Sequence, residues 1–100
     1  FCSGQIPLVP GGQPGEMPAD IGEQTAQVLD NLTAVLLAAG CDRKDVVKTT
    51  IYVTDLGHFG TVNEVYSRYF PLSPPARATV EVAALPLGAS VEIDAIAIAR

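Results

Sequence analysis

One arginine and one glutamate carry most of the chemistry this sequence offers. Arg77 follows two prolines and Ala76 at the start of a β-rich stretch, with no acid nearer in sequence than Glu64 or Glu81. A local ion pair does not account for it, and the guanidinium's fixed fork of donors suits bidentate recognition of a planar carboxylate. Taken alone, an arginine at a strand end is more often a surface charge. Glu92 stands between Val91 and Ile93, on the strand side that also carries Ile96 and Ile98. Covered in an assembly, such a carboxylate must be paired, hydrogen-bonded or protonated. Two roles stay open for it: a structural ion pair or rim charge, or a group that orients a water or exchanges a proton with substrate. Asp94 shares that side in a supporting role at most.

Other reactive side chains are sparse. Cys2 and Cys41 belong to no dense disulfide pattern and read as free thiols packed as small hydrophobes, with a redox or nucleophilic role as the alternative. No Cys or His spacing resembles a metal site. His58 stands alone and reads as a solvent-facing loop residue.

The 100 residues make a single domain spanning 1–100, and 48% hydrophobic against 17% charged residues is a composition that folds. The net charge is −5, and residues 1–42 hold five acids and no Lys or Arg. Binding to a phosphate backbone needs a basic stripe, so nucleic acid is not an expected partner. No apolar run approaches the roughly 18 residues of a membrane span, and no basic start with a short apolar stretch marks a signal peptide. A soluble, cytoplasmic protein without a membrane partner is expected. The chain opens at Phe1 on what reads as the end of a strand, so a native N-terminal strand is expected to precede it.

The elements that position these residues follow from periodicity. Residues 1–6 read as a strand end and 9–15 as a turn-rich loop. Ile21, Val28, Leu32, Val35 and Ala39 recur at helical spacing, with Asp20 and Glu23 as a capping pair and Gly40 as the left-handed terminator. Residues 46–54 are β-branched and aromatic, a strand. Phe59, Val62, Tyr66, Tyr69 and Phe70 form a second helical stripe that the prolines at 71, 74 and 75 end. A strand over 78–84, a turn over 85–89 and a strand over 90–99 complete the order β, α, β, α, β, β. The expectation is an α+β sandwich: one sheet, two helices on one face, a crossover helix between parallel strands and a closing antiparallel hairpin. Along the last strand Val91, Ile93, Ala95 and Ala97 point one way and Glu92, Asp94, Ile96 and Ile98 the other. Neither side is wholly polar, so the second face is expected to be covered in a closed homo-oligomer.

The motifs resemble the RidA (YjgF) family. Pro75-Ala76-Arg77 opening a strand, followed by Val91-Glu92-Ile93, matches its signature, and SGQIP (3–7), QVLDNL (27–32), VVKTTIYVTDL (46–56) and VNEVYSRYF (62–70) extend the resemblance over nearly the whole chain. It implies a chorismate-mutase-like fold assembled as a trimer with three clefts between subunits. It also implies hydrolysis of reactive enamines and imines, such as 2-aminoacrylate, to 2-keto acids and ammonia, with no metal or organic cofactor. Arg77 would bind the substrate carboxylate and Glu92 of a neighbouring subunit would position water.

Softer correspondences are Ser3 and Gly4 at the cleft, Asn63 contacting ligand or holding the arginine's loop, and Thr79 where many members have cysteine. That last departure means the chemistry needs no thiol at residue 79. Two further departures are the absence of the family's earlier, Tyr-bearing strand and a short loop between Phe70 and Arg77. If residues 77–84 and 90–97 form a hairpin centred near Leu87, Arg77 and Glu92 are offset by about five residues, or roughly 16 Å. One chain would then not bring them together, and a shared substrate would lie at an interface. Two other functions stay open: a binding or sensing module for 2-keto acids, and a nuclease or translation inhibitor, against which the missing basic stripe argues.

Overall fold

The protein was described from a computed structural model, covering residues 2–5 by their backbone and residues 9–10, 17–71 and 75–98 in full. Four strands and two long helices follow in the order β1 (Cys2–Gln5), α1 (Ile21–Ala38), β2 (Val46–Val53), α2 (Phe59–Tyr69), β3 (Ala76–Glu81) and β4 (Val91–Ala97). Helix α1 starts where Asp20 accepts a 3.0 Å hydrogen bond from the Glu23 amide, which satisfies one orphan donor of the first turn and sets negative charge at the positive end of the dipole. It stops at Gly40, whose φ of 81° is open to glycine, while Cys41 N–H returns to the Leu36 carbonyl at 2.8 Å. Between these caps Val28, Leu29, Leu32 and Leu36 form one buried stripe. No helix among the described residues is long and apolar enough to cross a membrane.

That stripe and Val62, Val65 and Tyr66 of α2 close one core with Ile51 and Val53 of β2 and Val91, Ile93 and Ala95 of β4. Truncating a fully buried member such as Leu32 or Ile51 to Ala costs about 2–5 kcal/mol by lost transfer energy and the cavity left behind. Both helices thus lie on one face of a single sheet, as the periodicity indicated. Helix α2 crosses between β2 and β3, which run parallel with Thr49 beside Arg77 and Ile51 beside Thr79.

The closing hairpin does not form. The strand order is β1-β4-β2-β3, so β4 pairs antiparallel with β2 and β1, and β3 lies at the far edge. Composition explains the exchange. The side of β3 that faces the helices carries Arg77, Thr79 and Glu81, which a central strand would have to bury, whereas Val91, Ile93 and Ala95 can fill the core beneath α1. The connection turns around the end of β2, where Val82 N–H reaches the Val53 carbonyl at 2.8 Å and Thr54 N–H reaches that of Ser90 at 3.2 Å. Consecutive left-handed residues, Leu87 (φ 57°) and Gly88 (φ 75°), make the reversal within the expected turn. Strand β3 also begins at Ala76 rather than 78 and ends at Glu81 rather than 84, because β2 offers no pairing partner beyond Val53.

The opposite sheet face is open. It presents Tyr52, Glu92 and Asp94 at its centre, with Val80, Ile96 and Ile98 left 40, 39 and 56% exposed. Apolar area on that scale beside half-buried carboxylates is typical of an association surface.

Candidate functional site

Arg77 is placed by register. In parallel pairing with Thr49 it projects to the helix side of the edge strand, under α2. Nη1 donates to Asn63 Oδ1. The guanidinium carbon lies 5.0 Å from the centroid of the Tyr66 ring and 5.5 Å from that of Phe59, within cation–π range. Phe59, Asn63 and Tyr66 fall at i, i+4 and i+7 on one face of α2, so a single helix supplies the arginine's surroundings. The two acids nearest in sequence are engaged elsewhere. Glu81 accepts from the Leu56 amide at 2.8 Å, and Glu64 pairs with Arg68 at 2.9 Å. Arg77 has no ion pair among the described residues, and its charge is balanced only by ring faces and an amide.

Beside it lies a cleft of about 470 Å³ lined by Asn63, Tyr66, Ser67, Phe70, Pro71, Pro75 and Arg77. Its walls mix Phe70, Pro71 and Pro75 with the neutral polar groups of Asn63, Tyr66 and Ser67, and the exposed guanidinium of Arg77 is the one charge among them, placed to form a charge-assisted bond with an incoming anion. At its floor Tyr66 Oη and Thr49 Oγ1 lie 2.7 Å apart, one donating to the other. Burial pushes the Tyr66 hydroxyl above the ordinary tyrosine pKa, outweighing the opposing effects of Thr49 and Arg77, so the ring meets the cation as a neutral phenol.

Glu92 is on the other side of the sheet. Its row is Glu92, Tyr52, Val80, and that of Arg77 is Ala95, Thr49, Arg77. Within one chain the two side chains point to opposite faces. The sequence-based conclusion that one copy does not bring them together therefore stands, but for a different reason: the hairpin offset is replaced by the thickness of the sheet. Asp94 accepts from Tyr52 Oη at 3.2 Å, and the Asp94 charge, ahead of burial, raises the Tyr52 pKa.

Thr79 lies two residues along β3 on the helix side, half-buried and level with Ile51. Ser3 and Gly4 belong to β1, and their side-chain environment lies outside the described residues, as does Cys2. Cys41 is a free thiol packed partly against the core. His58 is not solvent-facing: it is half-buried where the 3₁₀ turn Leu56–His58 runs into α2, and Nδ1 is shielded without a hydrogen-bond partner. Phe59 and Tyr66, which the sequence places on the helical stripe of α2, also contact the arginine. Their spacing around Asn63 was the available signal.

Residues 1–99 match the family model described as Endoribonuclease L-PSP. The chain is 58% identical over 99 residues to Protein DfrA of Myxococcus xanthus, covering 98% of this chain and 74% of that one. It is 50% identical over 99 residues to the 2-iminobutanoate/2-iminopropanoate deaminase of Mus musculus, covering 98% and 72%. The crystal structure of Escherichia coli TdcF with bound serine superposes with a TM-score of 0.91 at 44% identity, covering 98% of this chain and 78% of that one. With a family model matching residues 1–99 and relatives about half identical over most of their length, the chain belongs to the Endoribonuclease L-PSP family, the YjgF/RidA group its motifs resemble.

Proposed function

We propose that this single-domain chain is a hydrolase that deaminates reactive 2-enamine and 2-imine acids to 2-keto acids and ammonia. The observation that carries the reading is the Arg77 guanidinium, presented at a cleft with no carboxylate to neutralise it among the described residues. Relatives named as 2-iminobutanoate/2-iminopropanoate deaminases, and one crystallised with serine, support a small carboxylate-bearing substrate. The substrate carboxylate accepts two parallel bonds from Arg77, which leaves C2 at a fixed distance from the anchor. An enamine first takes a proton from solvent at C3 to become the iminium. Water then adds at C2: its oxygen forms the new C–O bond, the C=N π pair moves to nitrogen, and one water proton passes to a base, leaving a neutral carbinolamine. The base returns that proton to nitrogen, the C–N bond breaks as ammonia leaves, and the hydroxyl proton passes to solvent as the C=O bond forms.

Glu92 is the base in this scheme. Because it projects from the open face while Arg77 projects from the helix face, the Glu92 that serves a given cleft comes from a neighbouring copy. The apolar residues Val80, Ile96 and Ile98 around it favour a closed assembly, for which we propose the trimer implied by the sequence resemblance. Asn63 holds the arginine and lines the cleft, and Thr79, Ser3 and Gly4 are proposed substrate contacts. The rate enhancement required is modest, since these imines also hydrolyse unaided, and positioning with one bidentate pair suffices for it.

The test is to mix the purified protein with freshly generated 2-aminoacrylate and follow pyruvate. Wild type accelerates its appearance over buffer and Arg77→Ala does not. A wild-type trace that matches buffer overturns the assignment. The serine-bound relative favours one second reading, a module that grips 2-keto or amino acids without turnover. Tight 2-oxobutanoate binding by calorimetry, with no acceleration of deamination, selects it.

A further inference from the structure

An arginine that receives a carboxylate through two parallel bonds must present its donor edge beforehand, because a side chain this flexible otherwise loses rotamer freedom on binding. Asn63 accounts for a single donor. The larger constraint is the Tyr66 ring. Thr49 and Arg77 stand side by side on β2 and β3, and Tyr66 reaches down from α2 across both. Its hydroxyl meets Thr49 Oγ1 at 2.7 Å while its face lies 5.0 Å from the Arg77 guanidinium carbon. Phe70 supports the same ring at a centroid distance of 4.8 Å with a 34° tilt. Tyr66 is 3% exposed and Thr49 wholly buried, so the ring can swing only by breaking a buried hydrogen bond. Phe59, the second ring near Arg77, is 38% exposed.

We infer that Tyr66, latched by Thr49, is a positioning residue for the carboxylate anchor. It acts through Arg77 and touches no reacting atom. A π face attracts the cation without occupying its N–H donors, whereas a carboxylate in the same place would take those donors and compete with substrate. Tyr66 thus orients the charge without neutralising it. The inference rests on the proposed role of Arg77 and adds the part that readies it.

Three measurements on the full chain test it. In wild type, the Arg77 Nε–H proton, assigned by its loss in Arg77→Lys, resonates upfield of that of exposed Arg68 because it lies over the Tyr66 ring. Tyr66→Leu raises KM for 2-iminobutanoate and Kd for 2-oxobutanoate about ten-fold with kcat held within about two-fold, and Tyr66→Phe, which keeps the ring but loses the Thr49 latch, recovers only part of the loss. Val28→Ala, which opens a cavity on α1 away from Arg77, lowers thermal stability and leaves KM unchanged. An Arg77 resonance coincident with that of Arg68 overturns the inference, and so does a Tyr66→Leu protein with wild-type Kd. A wild-type protein that neither hydrolyses the imine nor binds the oxo acid overturns the proposed function, and this inference with it. Wild-type binding that is indifferent to Tyr66→Leu overturns this inference alone.

Discussion

Helix α2 carries two tyrosines one turn apart, each with its ring against an arginine, and they are put to different ends. The Arg43 guanidinium carbon lies 5.0 Å from the centroid of Tyr69, and that of Arg77 lies 5.0 Å from the centroid of Tyr66. Each hydroxyl is hydrogen-bonded across the fold. Tyr69 donates to Asp30 of α1 at 2.7 Å, so a cation, a phenol and a carboxylate follow one another in a chain that links the 3₁₀ turn Arg43–Asp45, α2 and α1. Tyr66 meets the neutral Thr49, and no carboxylate joins Arg77. The same cation–ring pair is therefore a tie where an acid completes it and a receptor for an anion where none does.

This contrast is sharpest in ligand binding. Arg77→Ala is expected to weaken 2-oxobutanoate binding about 100-fold by calorimetry, the loss of a charge-assisted bidentate pair, whereas Arg43→Ala stays within about two-fold of wild type. Equal losses from the two substitutions would erase the distinction. Stability should separate the tyrosines next. Thr49→Val strands a buried hydroxyl and should cost about 1–3 kcal/mol in urea denaturation, while Tyr69→Phe, at a wetter site, costs about 1 kcal/mol or less.

Alkaline pH probes the tie. Burial, then the Asp30 hydrogen bond and charge, push Tyr69 up to about 12 from 10.0. The folded state thus retains a proton that the unfolded chain releases, so this contribution to stability is intact below pH 10 and declines as pH rises from 10 through about 12. Tyr69→Phe should flatten that decline, and a slope unchanged by it would contradict the assignment. The smallest effect belongs to the exposed Glu64–Arg68 pair, where Glu64→Gln should cost no more than about 0.5 kcal/mol and the difference should fade in added salt.

Much of this was legible beforehand. The α1 stripe, its Asp20 cap and its Gly40 terminator are local signals, written within one helix and decided by hydrogen bonds no more than a few residues long. Arg77 stood out because no acid adjoined it in sequence, and the structure shows the nearest two committed to Leu56 and Arg68. The hairpin failed as a prediction because strand adjacency is a competition. Residues 78–84 and 90–99 both carry strand character and both pair with β2, but which of them lies at the centre under α1 depends on comparing Arg77, Thr79 and Glu81 with Val91, Ile93 and Ala95 as candidates for burial. Periodicity places Tyr66 on the inward stripe of α2, where it is indeed buried. Periodicity reports that a side chain faces inward and is silent on whether it meets a leucine or a guanidinium.

By itself the amino-acid order determined the helices, the alternation that gives the last strand one core side and one mixed side, and the presence of an uncompensated arginine among apolar neighbours. Only the tertiary structure decided that Arg77 and Glu92 leave the sheet on opposite faces and that Tyr66 bridges Thr49 and Arg77. Those relations are set by pairing register between strands far apart in the chain. Register is chosen by the burial of whole faces at once, a sum that no short window of sequence contains.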